Sequence, residues 1–310
     1  MRIVFMGSGD FACPSLQALR ATWPDALVGV VTQPDRPKGR HLALTPCPAK
    51  AVASPWGLPL LTPERVNDPE SLAALRAWQP DLIVVVAYGQ ILRAELLALP
   101  PRGLLNVHGS LLPRYRGAAP VQWALAQGET VTGVTTMWMN AGVDSGDILL
   151  QQPVPIAEDD TGGTLSSKVA AAGAELLVRT LQALQAGTLR PQPQDEAQAT
   201  LAPKIRKTDG RIDWTLGARR LCDRMRAFNP WPCCTCVLPW KDAVLRVLQA
   251  RAERGAGLPG AVLDIGREGP LVMAGEGAVR LLAVQPEGRR AMTGAEFLHG
   301  CLLKVGDRLR

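Results

Sequence analysis

Hydrophobic positions in the first half of the chain fall in short, nearly unbroken runs separated by longer mixed segments. RIVFMG (2–7), ALVGVVTQ (26–33), PDLIVVVAYG (80–89), LLNVH (104–108) and GVTTMWM (133–139) read as five strands. Strands that are apolar at consecutive positions need cover on both faces, which predicts a doubly wound, mainly parallel α/β sheet. DFACPSLQALRAT supplies a turn and helix after the first strand, and TLSSKVAAAGAELLVRTLQALQAG (164–187) keeps helical spacing up to a glycine stop. The periodicity then vanishes in TLRPQPQDEAQATLAPKIRKTDG (188–210), which reads as a linker running over the surface. Beyond a helical stretch, WTLGARRLCDRMRAF (214–228), the segments TCVLPWK, AVLRVLQARA, GAVLDI, GPLVMAG and GAVRLLAVQP alternate with turns. That is the pattern of a small all-β barrel. The expected organisation is an α/β domain over 1–188, a linker over 189–207 and an all-β domain over 208–310.

Composition adds limits to this picture. With 47% hydrophobic and 20% charged residues, the 310-residue chain is that of an ordinary globular protein. No apolar run reaches the roughly 18 residues that span a bilayer, and the first strand begins at residue 2 without a leader, so the expectation is a cytoplasmic protein. Seven cysteines, an odd number without a regular framework, fit reduced thiols better than disulfides. Residues 201–310 carry 19 Lys and Arg against 11 Asp and Glu, a net +8, whereas residues 1–200 carry a net −2. A basic module suggests a polyanionic partner, nucleic acid first; a merely solvated basic surface is the plainer alternative.

Candidate chemistry gathers at strand ends, where open α/β sheets bind ligands. Gly7-Ser8-Gly9-Asp10-Phe11-Ala12 imitates a dinucleotide fingerprint, but the second strand ends in Thr32-Gln33-Pro34 without the acidic residue a ribose needs. A tight strand-to-helix turn is the structural alternative. Asn106, His108 and Asp144, the last in the loop NAGVDSGD (140–147), form a sharper set. An amide donor and an imidazole held by a carboxylate suit a transfer through a tetrahedral oxyanion. From the residues alone, a histidine capping a strand and an aspartate making a turn remain open. Cys233-Cys234-Thr235-Cys236 lacks the spacing of a zinc half-site and reads as buried thiols, and Trp214, Trp231 and Trp240 read as packing residues.

One stretch narrows these alternatives. Asn106-Val107-His108-Gly109-Ser110-Leu111-Leu112-Pro113, followed by Arg116-Gly117-Ala118-Ala119-Pro120 and by Asp144-Ser145-Gly146-Asp147, closely resembles enzymes that use 10-formyltetrahydrofolate. Asp35-Arg36-Pro37-Lys38-Gly39-Arg40, Asn229-Pro230-Trp231-Pro232, Pro259-Gly260, Gly275-Glu276-Gly277 and Gln285-Pro286-Glu287-Gly288 resemble the methionyl-tRNA formyltransferases among them. The similarity runs from residue 2 to about residue 303.

The resemblance implies a formyltransferase-type Rossmann domain followed by an OB-like barrel. It implies formyl transfer from 10-formyltetrahydrofolate, as co-substrate, to the α-amine of methionyl-initiator-tRNA, with no metal. Asn106 and protonated His108 would stabilise the oxyanion, while Asp144 would hold His108 and help to take the amine proton. The folate would lie among Tyr88, Gly89, Gln90, Ile91 and Leu92, the corner Ser110, Leu111, Leu112 and Pro113, and Asn140, Gly142 and Val143. Lys38 and Arg40 in the loop after the second strand, and Lys204, Arg206 and Lys207 at the linker's end, would contact the tRNA. Leu42 and Ala43 depart from the more basic versions of that loop. Arg114 and Arg116 stay open between contacts to a glutamate tail and structural pairing. A monomer without a membrane partner is expected, and a sugar-nucleotide formyltransferase using the same donor is the alternative.

Overall fold

The computed structural model describes residues 1–38, 43–240 and 243–310. They divide into two compact units, Met1–Pro120 with Val131–Pro155 and Ser166–Ala202, and Val121–Thr130 with Ile156–Leu165 and Pro203–Arg310. Among the described residues no helix is long and apolar enough to cross a membrane.

The first unit is built on a sheet. Its chain order begins β1 (Ile3–Gly7), α1 (Cys13–Thr22), β2 (Leu27–Val31), β3 (Arg36–Lys38), β4 (Ala43–Thr45), α2 (Pro48–Ala53) and β5 (Leu60–Leu61). Next come α3 (Pro69–Ala77), β6 (Leu82–Val86), α4 (Ala94–Leu97), β7 (Leu104–His108), α5 (Pro120–Ala126), β8 (Val131–Trp138), β9 (Ile148–Pro155) and α6 (Gly162–Gln185). Most of α5 belongs to the second unit, and α6 passes from one unit into the other. Seven strands pair in the order β5-β2-β1-β6-β7-β8-β9. The first five are parallel, and β8 and β9 run antiparallel at one edge. Every residue of β1, β6 and β7 is buried, as their unbroken apolar runs demand.

Two local features position the site. A Cβ added at Gly7 would lie 2.8 Å from both Val86 O and Ala12 Cβ, so the first glycine of GSGDFA serves a tight strand-to-helix approach. On one sheet face α6 packs close, with a Cβ at Gly173 only 3.1 Å from Val107 Cγ1 and a Thr136–Thr180 hydroxyl contact of 2.8 Å. Side chains alternate along a strand, so Asn106 and His108 share the face opposite Val107. Strand β9 did not emerge from the hydrophobic pattern, because Gln151, Gln152 and two prolines interrupt its apolar positions.

The second unit carries α7 (Ala218–Ala227), β10 (Cys234–Val237), β11 (Val244–Glu253), β12 (Val262–Gly266), β13 (Gly269–Met273), β14 (Ala278–Pro286), β15 (Met292–Thr293) and α8 (Gly294–His299). Its strands form one antiparallel sheet in the order β10-β11-β14-β13-β12, with β15 beside β14. The chain's last residues join the two outer strands. Val237 and Arg310 exchange backbone hydrogen bonds of 2.6 and 3.0 Å, while Leu309 N donates to Gly260 O at 2.9 Å and Val262 N to Asp307 O at 2.8 Å. The sheet is thereby closed into a small barrel, as the turn-punctuated pattern predicts. Leu245, Val247, Val272, Val279, Leu281 and Val284 fill its interior. Trp214 is buried, but Trp231 is 53% exposed and is not the packing residue expected from sequence; it lies in a run of prolines on the surface.

Candidate active site

Asn106 and His108 end β7 at 9% and 6% exposure, and Asp144 meets both. The Asn106 amide donates to Asp144 Oδ1 at 3.3 Å, His108 Nδ1 stands 3.5 Å from Asp144 Oδ2, and Gly117 N–H donates to that oxygen at 2.8 Å. His108 Nε2 faces Tyr115 O at 2.9 Å. The ring therefore lies between a carbonyl and a carboxylate. A carbonyl only accepts, so Nε2 is the nitrogen placed to donate, with the Asp144 carboxylate beside Nδ1. Only one of the two Asn106 amide protons is spent on Asp144.

Asp144 arrives by a different route from the one expected. A parallel fifth strand would have brought its following loop to the same end as His108. Instead β8 is antiparallel, so the loop starts beside the other end of β7, where Met139 N–H donates to Leu104 O at 2.8 Å. It then folds back over the face that bears Asn106 and His108. Asp144 sits in the left-handed region at φ 47°, and Gly146 passes so close to Trp138 O that any Cβ would collide with it.

The corner after His108 is pinned from β8 and β9. Thr135 Oγ1 donates to Ser110 O at 2.6 Å and accepts from Leu112 N at 3.1 Å, and Gln151 Nε2 donates to Leu112 O at 2.8 Å. Ser110 and Leu112 are buried, Leu111 lies against Gly133, and the Leu112–Pro113 peptide is cis. At the end of β6, Tyr88 O accepts from Ser8 Oγ at 3.0 Å and from Gln33 Nε2 at 3.2 Å. The Tyr88 ring points into the core, where burial pushes its phenol upward and its hydroxyl has no partner among the described residues. The ring is thus turned away from the strand end, where the carbonyl is already taken by Ser8 and Gln33. Gln90 is committed to the loop before α3, accepting from Val66 N at 2.9 Å and donating to Pro63 O at 3.0 Å. Gly89 has φ 88°, Leu92 is partly buried, and Ile91 and Val143 stand 85% and 68% exposed. Asn140 accepts from Gly142 N at 2.9 Å and Ser145 Oγ at 3.0 Å, which shapes the loop rather than leaving its carbonyl open.

Sequence reasoning missed the segment 192–202. Gln194 donates to Asp144 O at 2.8 Å and Gly146 O at 2.7 Å, and Thr200 Oγ1 accepts from Tyr115 N at 2.8 Å. Arg116, buried at 7% exposure, forks onto Gln194 and Glu196 at distances of 2.8–3.0 Å. That pair holds the Glu196 carboxyl below its ordinary range and gives Arg116 a structural partner. Arg114 lies over the Tyr115 ring at 5.2 Å. A glutamine repeated at alternate positions, QPQ at 192–194, was the available sign of pairing along an edge.

Lys204, Arg206 and Lys207 are exposed and form no ion pair with described residues. Arg40 and the side chain of Lys38 lie outside the described residues. Cys233, Cys234 and Cys236 are buried free thiols, and no group of three or more metal-ligating side chains is present among the described residues.

Residues 1–181 match the model for "Formyl transferase" and residues 204–302 that for "Formyl transferase, C-terminal domain". The chain belongs to the formyl transferase family. It is 48% identical to the methionyl-tRNA formyltransferase of Desulfotalea psychrophila over 99% of this chain and 94% of that protein. Among solved structures, WlaRD, a sugar 3N-formyl transferase crystallised in the presence of dTDP and 5-N-formyl-THF, shares the fold at TM-score 0.69 and 16% identity, over 94% of this chain and 99% of that one. HypX from Aquifex aeolicus, in complex with tetrahydrofolic acid, aligns at TM-score 0.63 and 20% identity over 99% of this chain, which spans half of that protein's length.

Proposed function

We propose that the protein transfers the formyl group of 10-formyltetrahydrofolate to the α-amine of methionyl-initiator-tRNA, acting as a monomer in the cytoplasm. The observation that carries this reading is the buried Asn106–Asp144–His108 set, in a chain similar over its whole length to methionyl-tRNA formyltransferases. The folate supplies an activated formyl carbon. Asn106 gives its second amide proton to the formyl oxygen, and the charged His108 ring opposes the negative charge that develops there. The amine nitrogen bonds to the formyl carbon and the bond from that carbon to folate N10 breaks. Asp144 holds both side chains and helps to take the proton that the amine loses, which passes to N10 as tetrahydrofolate departs. Backbone groups of 88–92, the 110–113 corner and the 140–143 loop read the flat, donor-edged pterin, with Leu92 and Leu111 against it.

Residues 1–188 form the catalytic domain in this reading, 189–207 the linker, and 208–310 the tRNA-binding domain. Lys38 and Arg40 meet the acceptor end, while Lys204, Arg206 and Lys207 meet phosphates. The test is formyl transfer to methionyl-initiator-tRNA by the wild type, His108→Ala and Arg40→Ala. Activity in the wild type, loss in His108→Ala and a raised KM for tRNA in Arg40→Ala are expected. Transfer to an amino-sugar nucleotide, with none to tRNA, would replace this reading by the sugar-nucleotide one.

A further inference from the structure

Gln194 spends all of its side-chain hydrogen-bonding capacity on one task. Its two amide protons go to the carbonyls of Asp144 and Gly146, and its oxygen accepts from Arg116 Nε at 3.0 Å and Nη2 at 2.8 Å. Carbonyls only accept and a guanidinium only donates, so the amide orientation is fixed by its partners. Two residues earlier, Gln192 and Ile148 exchange backbone hydrogen bonds of 2.8 and 2.9 Å. Gln194 extends that bridge with its side chain, up to the residue whose backbone is left-handed. Arg116 in turn is forked onto Glu196, so the anchor is itself anchored.

We propose that Gln194 is a positioning residue for catalysis: it holds the Asp144 carboxylate at Asn106 and His108 by tying down the loop from which that carboxylate projects. This rests on the catalytic reading of Asp144 above. Without the two amide donors the loop is no longer held at a fixed height over β7, and a misplacement of about 1 Å is enough to cost on the order of a hundredfold in rate.

The discriminating variant is Gln194→Glu, which keeps the acceptors for Arg116 and removes both donors. It is measured beside Gln194→Met, of similar length without either function, and Asp144→Ala. The expected result is a kcat lowered roughly tenfold to a hundredfold in both Gln194 variants, with KM for tRNA and folate within about twofold of wild type. Hydrogen exchange at the Gly117 amide, which donates to Asp144 Oδ2, should accelerate in both while the thermal midpoint stays near wild type. A Gln194→Glu enzyme with normal kcat while Asp144→Ala is inactive overturns the inference alone. So does a lowered kcat with unchanged Gly117 exchange, since Gln194 would then not act through Asp144. Should Gln194→Glu fail to fold, Gln194→Met carries the same two measurements. An active Asp144→Ala removes the catalytic reading itself, and this inference with it.

Discussion

The end of β7 in the first unit and the barrel of the second bury opposite kinds of chemistry. At the end of β7 the first unit encloses Asn106, His108 and Arg116, with Asp144 largely covered, and nearly every polar atom there has a named partner. The barrel of the second unit buries aliphatic side chains and thiols, with the buried Asp160 and Asp223 elsewhere in that unit, and its strip Lys204, Arg206 and Lys207 stands in solvent. A closed network is sensitive to single atoms, because removing one partner strands the other without water. A solvated strip of cations acts through summed charge, which no single residue dominates. The first arrangement suits bond-making, and the second suits holding a polyanion.

The sharpest way to break this contrast is within the network. In the proposed reaction Asn106→Ala removes a donor to the developing oxyanion, and kcat should fall on the order of 10²–10³-fold with little change in KM for tRNA. Steady-state kinetics with both substrates would show it. An effect confined to KM would mean that Asn106 merely binds.

A gentler response is expected from the strip. Replacing Lys204, Arg206 and Lys207 singly by Ala should change KM for tRNA only a few-fold each, and the triple variant should raise it roughly tenfold or more at moderate salt. The slope of log affinity against log salt should become shallower by about one for every phosphate that a cation no longer neutralises. A triple variant with the wild-type slope would take the strip out of the tRNA interface. A single variant with a collapsed kcat would move that residue into the chemistry instead.

The central strands of both units were readable because burial writes a regular pattern: β1, β6 and β7 are apolar at nearly every position, and the β10–β14 segments are cut by turns; the short β3, β4, β5 and β15 and the polar-interrupted β9 carry no such pattern. The direction of β8 was not readable, since an apolar run has no sign, and so the path of the loop to Asp144 was not readable either. The resemblance carried Asn106, His108 and Asp144 as residues, but not how Asp144 is held. Gln194 escaped notice because its partners are polar, distant in sequence and met from a segment without periodicity. Tyr88 shows the converse: its position beside the strand end suggested a ligand contact, yet its ring belongs to the core.

The smallest effect on the reaction concerns the thiols, and it reports on the apolar interior of the barrel. Cys236 is buried in β10, and burial pushes its thiol from an ordinary 9.0 up to about 12. A group that holds its proton more tightly folded than unfolded contributes its full stability below the unfolded value. That contribution then disappears as pH climbs from about 9 towards 12. At pH 10.5 the reduction amounts to about 2 kcal/mol for one such thiol. Cys236→Val has no proton to lose. Between pH 7.5 and pH 10.5 the thermal midpoint of this unit should therefore drop further in the wild type than in the variant, by roughly 10 °C for about 2 kcal/mol in a module of this size. Differential scanning calorimetry of the whole chain at the two pH values would measure the difference. Equal drops would mean that water reaches Cys236 in the folded state, and the contrast between a polar β7 end and a dry barrel would have to be redrawn.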